Sequence, residues 1–229
     1  MIKICGLTKK TELDLVCRLH FGFAGFVLYS KSPRYISIES LNKLDLHHEQ
    51  YKNIIKTAVF VKPSKDDIKQ AVSAGIDAVQ LHGGEGLLCT LRLQKFLRQK
   101  HPSILLIKAF GFKGGVGLFL NLFLMKILQK KVDYFLLDTP SKQHGGTGQS
   151  FNWQLLDNKI FKYFFKMAIG NTPFFISGGI SEDNIQKALR YSNFVDLSSG
   201  VELSRGVKSE AKIISLAKFL QDLNLLKDK

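Results

Sequence analysis

The chain has 229 residues, 45% of them hydrophobic, which is ample for one core and within the range of a small α/β barrel. Lys and Arg number 33 against 19 Asp and Glu, a formal charge of +14 that favours anionic partners such as phosphorylated metabolites, nucleic acid or an acidic membrane surface. The basic residues are dispersed, with no zinc-finger spacing or RNP-type aromatic motif, so a generally basic surface is preferred over nucleic-acid binding. The longest apolar stretch, 116–128, is interrupted by Asn121 and Lys126 and is too short for a bilayer, which takes about 20 residues. It is expected as a helix buried against a sheet, and no membrane partner is expected. Cys5, Cys17 and Cys89 are few, odd in number and in no C-x-x-C pair, and the N-terminus lacks a signal-peptide pattern. A cytoplasmic protein is expected.

Eight short apolar runs recur, at 2–5, 24–28, 57–61, 78–81, 104–109, 134–137, 174–177 and 194–197. Helical patterns lie between most of them. Leu13, Val16, Cys17 and His20 share one face after the first run. Ser64 starts a helix that carries Ile68, Ala71 and Val72 and ends at Gly75; Ser181 and Ser209 cap two more. Strand and helix repeated eight times, with strands apolar throughout, predict parallel strands buried on both faces and joined by right-handed crossovers. The expectation is α/β, a single (β/α)8 TIM barrel with parallel strands, forming one domain over residues 1–229. A doubly wound open sheet is the alternative, weakened because no G-x-G-x-x-G follows the first strand.

In such a barrel the carboxyl ends of the strands line one mouth, where sites lie. Cys5-Gly6, Ser32-Pro33-Arg34, His82-Gly83-Gly84, Asp138, Gly178-Gly179 and Ser198-Ser199-Gly200 all fall there. Glycine turns after strands seven and eight, leading to helix N-termini, suit a phosphate; ordinary tight βα turns are the competing reading. The loop after Asp138, with Gly145, Gly146 and Gly148, offers further backbone amides. Cys5 is either an apolar filler or a thiol that needs its pKa lowered to act. Cys17 and Cys89 read as structural. Arg34 is a carboxylate clamp or a surface cation. His82 is a hydrogen-bond donor, acid or base, or a satisfied histidine. Asp196 orients a partner or pairs with a buried cation.

Lys3-Ile4-Cys5-Gly6-Leu7, Ser32-Pro33-Arg34, Val79-Gln80-Leu81-His82-Gly83, Leu137-Asp138-Thr139, Gly145-Gly146-Thr147-Gly148, Ser177-Gly178-Gly179 and Asp196-Leu197-Ser198-Ser199-Gly200-Val201-Glu202 together resemble the phosphoribosylanthranilate isomerases of tryptophan biosynthesis. The resemblance implies a cofactor-free, metal-free Amadori rearrangement of N-(5-phosphoribosyl)anthranilate to 1-(2-carboxyphenylamino)-1-deoxyribulose 5-phosphate. It implies Asp138 as general acid at the furanose ring oxygen and Cys5 as general base at C2. Arg34 would meet the anthranilate carboxylate, His82 and Asp196 would line the substrate, and Gly146, Gly178, Gly179, Ser199 and Gly200 would hold the phosphate. The partner implied is this small molecule, with the protein a monomer or homodimer. Asn152 stands where the family usually has Asp, and Ser177 where a small apolar residue is common. Other phosphosugar barrels, such as the aminoaldose isomerase of histidine biosynthesis or a pentose-phosphate epimerase, are the alternatives, followed by a basic nucleic-acid-binding protein and a catalytically dead scaffold.

Overall fold

The computed structural model describes residues 1–111, 116–138 and 156–226. Eight parallel strands close into a barrel in sequence order, with the first pairing the last. They are β1 Ile2–Cys5, β2 Phe23–Val27, β3 Ile55–Phe60, β4 Ala78–Leu81, β5 Leu105–Gly111, β6 Tyr134–Asp138, β7 Phe174–Ile176 and β8 Phe194–Leu197. Each is followed by a helix: α1 Lys10–Arg18, α2 Ile38–Asn42, α3 Lys65–Ser73, α4 Leu87–Lys100, α5 Val116–Leu128, α6 Lys159–Ile169, α7 Glu182–Leu189 and α8 Glu210–Asp222. A small hairpin, β9 Glu202–Ser204 with β10 Val207–Lys208, follows β8. The expected (β/α)8 architecture is therefore present, and the open-sheet alternative is ruled out by the β1–β8 pairing.

Element ends differ from the sequence expectation. β2 runs one residue earlier, β3 starts two residues earlier because Phe23 pairs Ile55, β5 extends to Gly111, and β7 is shorter. Pairing with neighbours, not the local apolar run, sets these limits. The first helix ends at Arg18, so His20, exposed at φ +59°, leaves the face it was expected to share. The helix over 116–128 is a partial correction. Leu122, Met125 and Leu128 are buried, but Phe119, Leu120 and Phe123 stand in solvent. A helix on the outer wall of a barrel buries only one stripe.

Alternation along each strand sorts the side chains into an outer layer under the helices and an inner layer inside the barrel. The inner floor is aromatic: Phe23, Tyr134, Phe175 and Phe194 form a cluster of edge-to-face and tilted rings 5.1 to 5.8 Å apart. One pleat higher the lining becomes polar. Lys3 Nζ donates to Asp196 Oδ1 at 2.9 Å, across the seam where β1 meets β8. Ser177 Oγ donates to Asp196 Oδ2 at 3.4 Å. Burial works to neutralise Lys3, yet the Asp196 carboxylate, joined by Cys5, offsets this and holds the ammonium above its ordinary value. Asp196→Ala leaves a buried ammonium without its partner. Urea unfolding should show a loss of about 3–5 kcal/mol, whereas Lys3→Met combined with Asp196→Leu should recover most of it.

Candidate active site

The next pleat up is the mouth. Cys5 ends β1 and is buried. It sits two residues above Lys3 on the same face of the strand, and Ser198 Oγ donates to its backbone carbonyl at 3.0 Å. Across from it on β2 stands Gly25, where an added Cβ would lie 2.9 Å from Cys5 Sγ and 3.1 Å from Lys3 Nζ. Glycine there makes room for the thiol and the ammonium together. Burial pushes the Cys5 thiol up; the Lys3 ammonium pulls it back, Asp196 adds to the rise, and Lys208 lowers it slightly. The balance leaves it above its ordinary value, so the resting residue is a thiol.

Asp138 is the last residue of β6, three strands round the wall from Cys5. Its Oδ2 lies 3.1 Å from His82 Nε2, and His82 Nδ1 lies 2.9 Å from Gln80 Nε2. With the amide placed this way, Gln80 donates to Nδ1, so the imidazole presents its Nε2–H to Asp138. Gln80 Oε1 is buried without a partner. Turning the amide over would let that oxygen accept from Nδ1–H instead, so Gln80 can serve neutral imidazole or imidazolium. Burial disfavours a charged His82, but the hydrogen bond and charge of Asp138 outweigh it and raise the histidine above its usual value. This pair keeps a proton at the mouth.

Arg34 does not project as a free clamp. Its Nε and Nη2 donate to Glu202 Oε1 and Oε2 at 2.6 and 2.8 Å, and Lys208 Nζ donates to the same carboxylate at 2.8 Å. Burial opposes the Glu202 charge, yet Arg34 and Lys208 hold its carboxyl below the usual range. Gly6, at φ +83°, lies under the Arg34 stem, where a Cβ would meet Cδ at 2.6 Å. The fork is thus fixed from below and from behind, and three of its five N–H donors remain for another group.

Gly178 and Gly179 turn the chain after β7 with φ +92° and +64°, both in the left-handed region open to glycine. They lead into the N-terminus of α7, where Ser181 N–H donates to Asn184 Oδ1 and the Asn184 amide donates back to Gly179 O at 2.9 Å. Ser199–Val201 forms a single 3-10 turn after β8. A Cβ on Gly200 would lie 1.9 Å from Ile180 O, so the two glycine turns are in direct contact and form one cradle. Gly146 and Asn152 lie outside the described residues. Cys17, half-buried, donates from Sγ to Gln50 O at 3.0 Å, and Cys89 lies within α4 against the core. Among the described residues no group of three or more His, Cys, Asp or Glu is arranged to hold a metal ion.

A cradle at strands seven and eight, a thiol on β1 and a carboxyl–imidazole pair on β6 and β4 share one mouth. Residues 2–219 match the family described as N-(5'phosphoribosyl)anthranilate (PRA) isomerase. The chain belongs to that family. Similar curated proteins include the N-(5'-phosphoribosyl)anthranilate isomerase of Staphylococcus haemolyticus, 34% identical over 189 residues, which covers 82% of this chain and 81% of that one. The phosphoribosyl anthranilate isomerase of Thermotoga maritima aligns with TM-score 0.75 and 28% identity over 96% of this chain and 98% of its own. A phosphoribosyl anthranilate isomerase in complex with reduced 1-(o-carboxyphenylamino)-1-deoxyribulose 5-phosphate aligns with TM-score 0.72 and 26% identity over the same shares. The function is accordingly isomerisation of N-(5'-phosphoribosyl)anthranilate in tryptophan biosynthesis, and the histidine-pathway, epimerase and nucleic-acid readings fall away.

Lys3, Gln80, Glu202 and Lys208 gained no individual role from the sequence. Lys3, Gln80 and Glu202 stood inside the recognised motifs, and an ionisable residue in an apolar strand was the available signal for Lys3. Replacing Gly200 by Ala drives a Cβ into the Ile180 carbonyl. It should lower stability by about 1–3 kcal/mol and raise KM for the phosphorylated substrate, measured by thermal melting and steady-state kinetics on the same preparation.

Proposed function

We propose that Cys5 and Asp138 divide the proton work of this isomerisation, with His82 keeping the acid supplied. The observation that carries the reading is the pairing at the mouth: a thiol over a buried ammonium on β1, and a carboxyl held by an imidazole at 3.1 Å on β6. The complexed relative holds reduced 1-(o-carboxyphenylamino)-1-deoxyribulose 5-phosphate, which has a phosphate at one end and a carboxylate at the other. In this chain the cradle of Gly178, Gly179, Ser199 and Gly200, with Gly146 from the sequence as a further contributor, takes the phosphate at the N-terminus of α7. The remaining Arg34 donors take the anthranilate carboxylate, with the fork already oriented by Glu202. Asp196 acts beneath the substrate through Lys3 and Ser177.

The C2–H bond is a poor acid while the ribose ring is closed. Asp138 protonates the ring oxygen, the C1–O bond breaks, and the nitrogen lone pair completes a cationic Schiff base. His82, with its raised pKa, supplies the proton that Asp138 gives up. The cationic nitrogen adds a positive charge near Cys5, beyond that of Lys3. Together they favour loss of the thiol proton to solvent, against burial and the Asp196 charge, which both oppose the thiolate. The thiolate takes the C2 proton, an enolamine forms, and protonation at C1 with loss of the C2 hydroxyl proton gives the ketone. No atom is gained or lost overall. The residues supply acid and base on different walls of the mouth, which is what an aldose-to-ketose shift requires.

We further read the whole chain, 1–229, as one barrel domain acting in the cytoplasm. Three free thiols support a reducing compartment. Among the described residues no helix is long and apolar enough to cross a membrane.

Assayed by anthranilate fluorescence on freshly generated substrate, Cys5→Ser and Asp138→Asn should each lose about 10²–10⁴-fold in turnover with little change in KM, while Cys17→Ser and Cys89→Ser stay active. Near wild-type turnover in either of the first two variants would sink the assignment. The resting thiol gives an independent check. Alkylation of Cys5 by iodoacetamide, followed by mass spectrometry, should be slow at neutral pH and still accelerating as pH passes the ordinary thiol value of about 8.5. In Lys3→Met the acceleration should move to still higher pH.

A further inference from the structure

The outer wall carries a feature the chemistry does not use. Phe119, Leu120 and Phe123 on α5, and Ile160, Tyr163, Phe164 and Met167 on α6, are each between 47% and 71% exposed. At 100° per residue, Phe119, Phe123 and Lys126 share one flank of α5, and Ile160, Phe164 and Met167 share one flank of α6. The two flanks face each other, because Lys126 Nζ donates to Met167 O at 3.3 Å across the seam. Lys162 and Lys166 occupy the opposite flank of α6, in a cleft with Lys187 and Arg190 of the α7 side. The apolar residues therefore form one continuous face across α5 and α6. Taking about 200 Å² for a side chain of this size, the face presents roughly 850 Å² of apolar surface. That exceeds the roughly 300–600 Å² of the largest patch on a typical monomer and matches the ~800 Å² that each partner buries in a stable complex.

We propose that this face is a homodimer interface, covered by the same α5–α6 face of a second copy of this chain. The area is what one side of a stable dimer needs. The centre of the face carries aromatic and aliphatic side chains without charge, so it is complementary to itself, and an isologous pairing closes it completely. Its rim is basic: Lys126, Lys159, Lys162 and Lys166 are exposed, and neither helix holds an acidic residue. In a dimer these long side chains meet like charges only at the edge, where they can splay into water and salt screens them. The two helices lie on the outside of the barrel wall, so the mouth of each copy stays open.

Charge gives the test its sign. A dimer joined by apolar centres inside a like-charged rim tightens as salt rises, whereas a complex with an acidic protein or an anionic bilayer weakens. Sedimentation velocity of the full chain over a hundredfold range of concentration should show a monomer–dimer equilibrium whose Kd falls several-fold from low to high salt. Phe123→Glu combined with Phe164→Glu should abolish the dimer and leave turnover and the thermal melt close to wild type. A wild-type chain that stays monomeric throughout overturns the proposal, whether another segment of the chain or a different partner covers the face. So does a dimer that survives the double substitution, or one that loosens as salt rises.

Discussion

A charged lysine inside the barrel is the constraint on which the rest of the molecule depends. Lys3 is fully buried, and the Asp196 carboxylate at 2.9 Å, with Cys5 above it, makes its ammonium tolerable there. The pair joins β1 to β8, the two strands that close the barrel. It also sets the field beneath Cys5. Closure and reactivity therefore share one ion pair, and Gly25 on the neighbouring strand is the space that both groups need. An apolar substitute could fill that volume, but it would take the Lys3 ammonium away from the thiol, and burial raises the thiol's pKa.

Height in the barrel orders the chemistry. The floor is a cluster of aromatic rings, the middle is the Lys3–Asp196–Ser177 set with Gln80, and the top is Cys5, His82 and Asp138. Each step up a strand by two residues exchanges grease for polarity, because side chains on one face of a strand recur every second residue. Polar groups in the middle layer face limited water, so their partners are mostly each other. This is why Gln80, two residues below His82, can orient it, and why His82 in turn reaches Asp138 across β5. On another side of the mouth, Glu202 works in the same way on Arg34. A guanidinium in a flexible loop would have to be ordered by the substrate, whereas here Glu202 and Lys208 have already ordered it.

The sequence by itself determined the fold class, the order of the elements and most of the mouth. Parallel strands buried on both faces read as apolar runs, helices read through their capping serines and their 3.6-residue stripes, and strand ends read through the abrupt change to glycine and polar residues. These are local signals, and they placed Cys5, His82, Asp138, Gly178, Gly179, Ser199 and Gly200 at one end of the barrel. The tertiary structure decided what each side chain touches. Arg34 and Glu202 are 168 residues apart, and Lys3 and Asp196 are 193 apart. The partner of a charge is fixed by barrel closure, and nothing in the residues around it names that partner. The exposed face of α5 and α6 has the same cause. An apolar run of thirteen residues promises a buried helix, but the barrel offers it one stripe of core, and the remaining aromatic side chains are left outside because no sheet lies on that side.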